Sequence, residues 1–482
     1  MSIIMICKDI QIQKHAAGGT LISLKYISEE LEPGSERDVT VYIPKANGTT
    51  EGLAIQVYTD GMRDCEPSVL EKLVAEKAIP PIVTIGVKPG VMPSLIPNGT
   101  ARRIRSIEYD SLGPHYANFI IDEVIPAIQK EVLPKDITLS DSYDMHSICG
   151  CSSGGICSWN ACWERNDFFR RCLINSPTFS SFRGGEELLA YMRKYETKPI
   201  RCFMTAGTDD MRNSAGDWHL EALTAKEAME YGGYEYDFEL FEGGKHGVGS
   251  RDADVMERGL RFIWKDWKTK PVGIRHLPER VADIVTMDSS WKEDSGDNDW
   301  LVNVANYQTS SPYGTYYQQI KQPKKIYLRI HDKKKCVAKL DFAVAGMALS
   351  CDQSLLYVCS IYQRFVYAFR IAKDGSLHDM YPFARLHVAD DLELVGATSI
   401  CVDDQDRLYA ATDLGIQTFS WEGHSNCILP LPNHATPFAI GFSQKKPNQL
   451  RVMDLDGNYY VRDVLTRAPQ LDVASKPGTP LF

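Results

Sequence analysis

One pentapeptide constrains the fold more than any other segment of the chain. Residues 150–154 read Gly-Cys-Ser-Ser-Gly, which fits the G-x-S-x-G pattern of a nucleophile elbow. In such an elbow a serine lies on a sharp strand-to-helix turn, so the residues two before and two after it must be small. Gly150 and Gly154 meet that requirement. The pattern therefore indicates Ser152 as a nucleophile, with an ordinary glycine- and serine-rich turn as the alternative.

The flanking sequence favours the elbow over an ordinary turn. Residues 145–149 form a short apolar run that is typical of a strand, and residues 156–163 are compatible with a helix packed on a sheet. Through about residue 270 such strands alternate with helices, which predicts an α/β-hydrolase fold with a mostly parallel sheet and helices on both faces. The predicted strands are Val39–Ile43, Leu53–Tyr58, Ile82–Val87, Met145–Cys149 and Arg201–Thr205, and the predicted helices are Ser68–Glu76, Tyr116–Glu131, Thr224–Tyr231 and Ala253–Trp267.

The pattern changes after Pro271 to short strands separated by Asp, Gly and Asn. Groups of three strands recur about every 40 to 50 residues, which is typical of propeller blades. We therefore predict an α/β-hydrolase domain over 1–270, a linker or first partial blade over 271–298, and a small all-β, propeller-like accessory domain of about four blades over 299–482. Strand edges left open by so few blades need cover from the hydrolase or from another subunit, which favours a homo-oligomer.

Composition narrows the classes of partner. The 63 acidic residues outnumber the 53 basic ones and give a formal charge of −10, which argues against a nucleic-acid partner. No segment approaches the roughly 18 apolar residues of a membrane span, and residues 1–7 are too short for a secretory signal. The thirteen cysteines form no paired C-x-x-C clusters and favour reduced thiols. We expect a cytoplasmic protein, with a secreted form whose signal has been removed as the alternative.

Two later loops supply partners for Ser152. In α/β-hydrolases the nucleophile is followed along the chain by an acid and then by a histidine, each on a loop after a strand. His246, which lies in the glycine-rich loop Gly243-Gly244-Lys245-His246-Gly247 after a predicted strand, is the predicted general base, with a surface histidine as the alternative. Asp210 is the predicted acid that orients its ring, whereas Asp209 competes for that role or caps the following turn. This chemistry requires no metal and no organic cofactor.

An oxyanion formed on attack needs two main-chain donors. One is expected to be the N–H of Ser153, which directly follows the nucleophile, and the other to come from the loop after the early strand, at Gly61 or Met62.

Several segments across the first half carry a family resemblance. They are Val41-Tyr42-Ile43-Pro44, Asp60-Gly61, residues 105–110, Gly150–Gly155, residues 198–201, Gly216-Asp217-Trp218 and Glu242-Gly243-Gly244-Lys245-His246. In these segments the chain resembles the esterases related to esterase D and enterochelin esterase, the fold of carbohydrate esterase family 1 with its feruloyl and acetyl-xylan esterases. The usual Gly-Gly-His of that family is here Gly-Gly-Lys-His.

The resemblance implies roles for particular residues. The family's acid is the fourth residue of a G-x-x-D element, which selects Asp210. Arg105, Glu108 and Tyr109 would lie near the mouth of the site, where they bind substrate or hold a loop. Trp218 would stack on an aromatic or sugar group or pack inside the protein. The implied activity is serine-dependent hydrolysis of acyl esters of a small molecule or oligosaccharide, of feruloyl, acetyl-carbohydrate or phenolic type.

The second half resembles gluconolactonase and senescence-marker-type propellers, which have six blades and bind a divalent cation. Two expected oxygen ligands of that cation are missing, because Ala345 and Thr398 occupy their positions. We therefore expect no metal and no lactonase activity. The alternatives are a metal-dependent sugar lactonase carried by the propeller, which chelator sensitivity would reveal, and a non-catalytic binding protein.

Overall fold

The computed structural model describes residues 7–45, 52–295, 307–388 and 395–470. The chain divides into two compact units, one of Met1–Arg193 with Thr197–His276 and the other of Lys194–Glu196 with Leu277–Phe482. The predicted start of the accessory domain at residue 299 lies outside the described residues. Within the predicted linker, Glu279–Ala282 form a helix and Lys292–Asp294 form a strand.

The first unit is built on one eleven-stranded sheet. Its main path runs β1-β2-β3-β5-β4-β8-β9-β10-β13, with two short strands, β6 and β7, at the side of β3. Strands β5, β4, β8, β9, β10 and β13 are parallel, and β1, β2 and β3 join them antiparallel. The predicted α/β-hydrolase fold with a mostly parallel sheet is confirmed. The strands are β1 Cys7–Lys14, β2 Thr20–Ile27, β3 Glu36–Ile43, β4 Ala54–Thr59, β5 Ile82–Val87, β6 Val91–Met92, β7 Arg102–Arg103, β8 His146–Cys151, β9 Arg171–Asn175, β10 Arg201–Gly207 and β13 Glu235–Phe241, and a separate hairpin holds β11 Arg212–Asn213 and β12 Gly216–Asp217.

Helices of this unit alternate with the parallel strands. Helices α1 and α8 share one apolar cluster with the ends of the central strands, centred on Leu70, Phe203 and Leu260. Helix α7 begins at Trp218, six residues before the predicted start, because the Asp217 carboxylate caps it by accepting the N–H of Leu220 at 3.2 Å. The helices are α1 Glu66–Ala75, α2 Arg105–Tyr109, α3 His115–Asn118, α4 Ile125–Ala127, α5 Ser153–Glu164, α6 Glu187–Lys194, α7 Trp218–Gly232 and α8 Ala253–Ile263, with π-helical turns at Phe119–Val124 and Ile128–Val132 and a 3₁₀ turn at Tyr143–Met145.

The parallel order decides where the functional loops meet. Strand β8 lies between β4 and β9, and β10 lies between β9 and β13. The carboxyl ends of parallel strands share one edge of a sheet, and ligands of open α/β sheets bind there. The segments after β4, β8, β10 and β13 carry Gly61, Ser152, Asp210 and His246 respectively. The fold thus brings four distant sequence segments to one edge.

The second unit has a four-blade propeller-like arrangement of antiparallel sheets. Three sheets are formed by consecutive strands, whereas the last takes β14 from the start of the unit as its outer strand beside β29. This pairing joins the two ends of the unit. The first sheet holds β15 Gln308–Ser311, β16 Gly314–Gln319, β17 Gln322–Ile330 and β18 Lys333–Lys339, and the second holds β19 Gly346–Leu349, β20 Leu355–Cys359, β21 Phe365–Ile371 and β22 Leu377–Arg385. The third holds β23 Ser399–Val402, β24 Leu408–Thr412, β25 Gly415–Phe419 and β26 Ser425–Leu429, and the fourth holds β14 Lys292–Asp294, β29 Tyr459–Asp463, β28 Gln449–Asp454 and β27 Pro437–Phe442. The unit also contains helix α9 Glu279–Ala282 and a 3₁₀ turn at Pro432–His434.

A repeated polar turn stabilises two of these sheets. Buried Asp403 accepts hydrogen bonds from the Tyr409 hydroxyl at 3.0 Å and the Arg407 N–H at 2.9 Å. Buried Asp454 accepts the Tyr460 hydroxyl at 3.3 Å in the same way. A buried carboxylate with several donors costs little to bury and fixes the turn. The recurring Asp and Tyr are therefore structural.

Candidate active site

Ser152 lies on the turn between β8 and α5 with φ of 61° and ψ of −126°. This region is strained for a residue with a side chain, and such strain is found at functional sites. A Cβ atom on Gly150 would collide with the Gly154 carbonyl oxygen, and one on Gly154 would collide with Thr59 Oγ1. The turn is held by a hydrogen bond of 2.9 Å from Ser152 N–H to the Asn175 carbonyl. The geometry is that of a nucleophile elbow.

Asp210 and His246 form the second part of the site. His246 Nδ1 lies 2.6 Å from Asp210 Oδ1, and the carboxylate is fully buried while a quarter of the imidazole (26%) is exposed. Burial opposes ionisation of Asp210, but hydrogen bonds led by that of His246 outweigh it and lower the pKa of the carboxyl below its ordinary value. Asp209 is exposed, and among the described residues its one hydrogen bond is from its main-chain N–H to the Gly244 carbonyl. The geometry therefore favours Asp210 over Asp209 as the acid.

Ser152 and His246 line one cleft of about 650 Å³. No hydrogen bond joins them in the described structure; Ser152 Oγ instead lies 3.4 Å from Thr178 Oγ1. The Thr178 hydroxyl also accepts the Trp218 Nε1–H at 3.2 Å. Hydrogen bonds between nucleophile and base are often long without substrate and shorten in the reactive complex. The absence of this bond in the described structure is therefore compatible with a nucleophile and a base that share one cleft.

The predicted oxyanion donors lie on the turn after β4 and at the start of α5. The N–H groups of Gly61, Met62 and Ser153 donate to no acceptor among the described residues. Asp60 and Gly61 both have positive φ, of 60° and 87°, so the backbone turns sharply after β4. Free N–H groups on such a turn and at a helix start are available to a developing negative charge.

The predicted mouth residues divide into two groups. Glu108 forms a fully buried ion pair of 2.8 Å with Arg37 and accepts the Gly90 N–H at 2.9 Å, so it holds the loop after β5. Burial raises the pKa of Glu108. Arg105 lines the cleft, and its Nε and Nη2 grip both carboxylate oxygens of Asp60 at 2.7 and 2.8 Å. Arg105 is thus the only one of the three to reach the cleft among its described lining residues.

Trp218 supports the site from inside the protein. Its side chain is almost completely buried (1% exposed), and its ring meets the His246 ring edge-on, with centroids 6.1 Å apart. A buried indole whose N–H is already engaged by Thr178 has no free face for a sugar or aromatic group. Of its two predicted roles, the structure favours packing.

Tyr109 holds the loop after β4 that carries two of the predicted oxyanion donors. Its buried hydroxyl accepts the Asp60 N–H at 3.0 Å and donates to the Val87 carbonyl at 3.2 Å. We expect Tyr109→Phe to lower kcat about tenfold with a smaller change in KM, because Asp60 directly precedes Gly61 and loses its anchor. Two buried main-chain groups lose their partner, so urea unfolding should show a loss of about 1–3 kcal/mol. Tyr143→Phe, at a partly exposed hydroxyl, is the control, and an unchanged kcat in Tyr109→Phe would contradict this role.

Sequence reasoning missed several residues of the site. Strand β9 was not predicted, so Ser176 and Thr178 after its carboxyl end were not considered, although Ser176 Oγ accepts the Gly247 N–H at 2.9 Å beside His246. The signal available was the short apolar run Cys172-Leu173-Ile174. The cleft also includes four polar side chains that no motif marked, namely Arg63, Ser250, Arg251 and Asp252.

Two further observations concern metal binding and membrane spanning by the described residues. They contain no group of three or more His, Cys, Asp or Glu side chains arranged to hold a metal ion. None of their helices is both long enough and apolar enough to cross a membrane.

Comparison with known families decides the class of the enzyme. Residues 28–250 match the family model Esterase, whose description is "Putative esterase". The protein is a carboxylic ester hydrolase. The matched region of this hydrolase includes Ser152, Asp210 and His246 and lies, apart from Lys194–Glu196, in the first unit. The esterase-like α/β-hydrolase predicted from the sequence is confirmed.

Solved structures similar to this hydrolase include enzymes of three kinds. A ferulic acid esterase is 18% identical with a TM-score of 0.39, covering 51% of this chain and 98% of its own. An S-formylglutathione hydrolase from Agrobacterium tumefaciens is 15% identical with a TM-score of 0.39, covering 53% and 99%. A gluconolactonase from Xanthomonas campestris is 26% identical with a TM-score of 0.25, covering 29% and 44%. No curated protein matches the hydrolase.

Proposed function

We propose that this hydrolase is a serine carboxylesterase that cleaves acyl esters of feruloyl, acetyl-carbohydrate or phenolic type through an acyl-enzyme on Ser152. One observation carries the proposal. A buried carboxylate binds Nδ1 of His246 in the same cleft as a serine on a strained elbow. Nucleophile, base and orienting acid on three strand ends are the arrangement of serine hydrolases on unrelated folds.

The proposed reaction has two halves. Asp210 accepts Nδ1–H of His246, which leaves Nε2 free to take the Ser152 proton as Oγ attacks the ester carbonyl. The oxyanion receives hydrogen bonds from Ser153 N–H and from the loop at Gly61 and Met62. The tetrahedral adduct collapses with loss of the alcohol, which takes the proton from His246. Water, activated by the same imidazole, then releases the acid and restores Ser152.

The second unit is proposed to have an accessory role in recognition or assembly. Strand β22 ends its sheet in the strand order, and Met380 and Tyr381 on it are exposed. Open strand edges with exposed apolar side chains are available for pairing with another chain. This supports the homo-oligomer expected from the sequence.

Covalent labelling combined with an ester panel tests the proposal. A fluorophosphonate should label the protein once, on the peptide containing Ser152, and block the hydrolysis of acetyl, feruloyl and aryl esters measured by product release. The chelator EDTA should leave this activity unchanged. Lactone hydrolysis that survives labelling and is abolished by EDTA would assign the activity to the propeller-like unit. If the protein is neither labelled nor able to turn over any ester, the non-catalytic binding protein is the remaining hypothesis.

A further inference from the structure

The catalytic cleft has a local charge opposite to that of the whole chain. Three arginines line it, Arg63, Arg105 and Arg251, against two carboxylates. The chain as a whole carries a formal charge of −10. A protein with a negative net charge repels anions in general, so cations concentrated around the nucleophile create a local field that attracts them.

Both carboxylates of the cleft already have structural partners. Asp60 receives two hydrogen bonds from Arg105, as described above. Asp252 accepts the N–H groups of Asp254 at 2.9 Å and Val255 at 3.1 Å and thereby caps α8. A carboxylate at a helix start is stabilised by the helix dipole. Neither group is therefore engaged with Arg63 or Arg251.

The guanidinium groups of the other two arginines form no ion pair with a carboxylate of the described residues, although the buried Glu66 carboxylate accepts the main-chain N–H of Arg63 at 3.4 Å and acts on its charge from a distance. Arg63 lies with its guanidinium centre 5.8 Å from the Tyr58 ring centroid, and its Nε is buried without a hydrogen-bond acceptor in that part of the chain. Arg251 is exposed, lines the same cleft and forms no ion pair with a described carboxylate. A buried guanidinium nitrogen without an acceptor is costly unless a ligand supplies one.

We infer that the preferred substrate carries a carboxylate near the ester bond, which Arg63 and Arg251 bind. A guanidinium group is a planar fork of donors that matches the two oxygens of a carboxylate. Because both arginines share the cleft of Ser152, the bound anion lies on the same molecule as the ester. The inference rests on the proposed serine esterase and narrows its substrates to esters with a negatively charged acyl or alcohol part.

Two matched pairs of esters test this preference. On the acyl side, 4-nitrophenyl hydrogen adipate is compared with its neutral methyl ester, with the spontaneous hydrolysis subtracted. On the alcohol side, 3-acetoxybenzoate is compared with methyl 3-acetoxybenzoate. We expect kcat/KM to favour the anionic member of at least one pair about tenfold or more, mainly through KM, and this preference to shrink as ionic strength rises. The pair that shows it identifies which side of the ester faces the arginines.

The variants Arg63→Gln and Arg251→Gln should each lower the anionic-to-neutral ratio of kcat/KM about tenfold, and the double variant should remove the preference. Arg275→Gln is the control for net charge, since Arg275 is exposed and pairs with Glu230 at 3.1 Å. Arg251 is exposed, so its variant tests the inference even if Arg63→Gln fails to fold.

Three outcomes are decisive. Equal or better turnover of the neutral esters by the unaltered protein would overturn the inference while leaving the serine esterase intact. A preference that persists in the double variant would also overturn it. Absence of turnover on all four esters, together with absence of fluorophosphonate labelling at Ser152, would instead overturn the proposed function.

Discussion

Replacing Ser152 with Ala is expected to lower kcat on an aryl ester by about a million-fold, to the level left by the oxyanion donors and binding alone. The proposed reaction has no other group to form the acyl-enzyme, because the neighbouring Cys151 thiol has its pKa raised by burial and is protonated at neutral pH. The effect is measured as steady-state release of the phenol, with active-site titration of both proteins.

The fold should tolerate this substitution. The only side-chain contact that Ser152 Oγ makes through hydrogen bonding in the described structure is the long one of 3.4 Å to Thr178. The thermal unfolding midpoint is therefore expected to stay nearly unchanged. Ser181→Ala, at an exposed serine beyond β9, is the matched control for both readouts. Substantial turnover by Ser152→Ala would remove the nucleophile from the proposal.

Replacing Asp210 with Asn is expected to lower kcat about ten thousand-fold. The amide no longer holds Nδ1–H of His246 or stabilises the imidazolium, so Nε2 is not kept ready to accept the Ser152 proton. The matched control is Asp209→Asn, which changes the adjacent, exposed carboxylate and should keep most of the activity. The reverse order of the two effects would transfer the acid role to Asp209.

The same pair of variants has a pH signature. The pKa of Asp210 is lowered in the folded protein, so its carboxylate stabilises the fold above the ordinary carboxyl range. That contribution is lost as the pH falls from the ordinary value through the lowered one. We expect urea unfolding of Asp210→Asn to lack this part of the acid dependence, whereas Asp209→Asn keeps it. Parallel acid dependence in both variants would contradict the role of the hydrogen bond between Asp210 and His246.

Local sequence was sufficient for the elbow and for the order of the site. Glycine is required at position 150 because a Cβ atom there would collide with the Gly154 carbonyl oxygen, and at position 154 because a Cβ atom there would collide with Thr59 Oγ1. Ser152, Asp210 and His246 each follow a predicted strand, in the order expected of the α/β-hydrolase fold, and the parallel strands then bring the three residues to one edge of the sheet. These features were predictable because they depend on backbone geometry within a few residues and on one rule of sheet topology.

Strands with weak local patterns were not predictable. Strand β1 exposes seven of its eight residues, and its apolar alternation is limited to Ile10 and Ile12, which is too short to mark a strand. Strand β9 is short and buried on both faces, which makes it indistinguishable from other apolar runs. Missing β9 also concealed Thr178, the hydrogen-bond partner of Ser152 in this structure.

Roles that depend on partners were settled by the tertiary structure. From the sequence, Glu108, Tyr109 and Trp218 were equally suited to bind substrate or to hold the fold; burial and complete pairing now favour the second role for each. No sequence pattern marks Arg63 and Arg251 as members of one site, since 188 positions separate them and neither belongs to a motif.

The sequence by itself determined the class of fold, the elbow and the residues available for catalysis, because those depend on local sterics and strand order. Only the tertiary structure decided which acid meets His246, which mouth residues are already engaged, and which charges near Ser152 have no partner. Pairing, burial and local charge depend on residues that are distant in the sequence and are brought together by folding. The charge of a cleft therefore cannot be read from the order of charged residues along the chain.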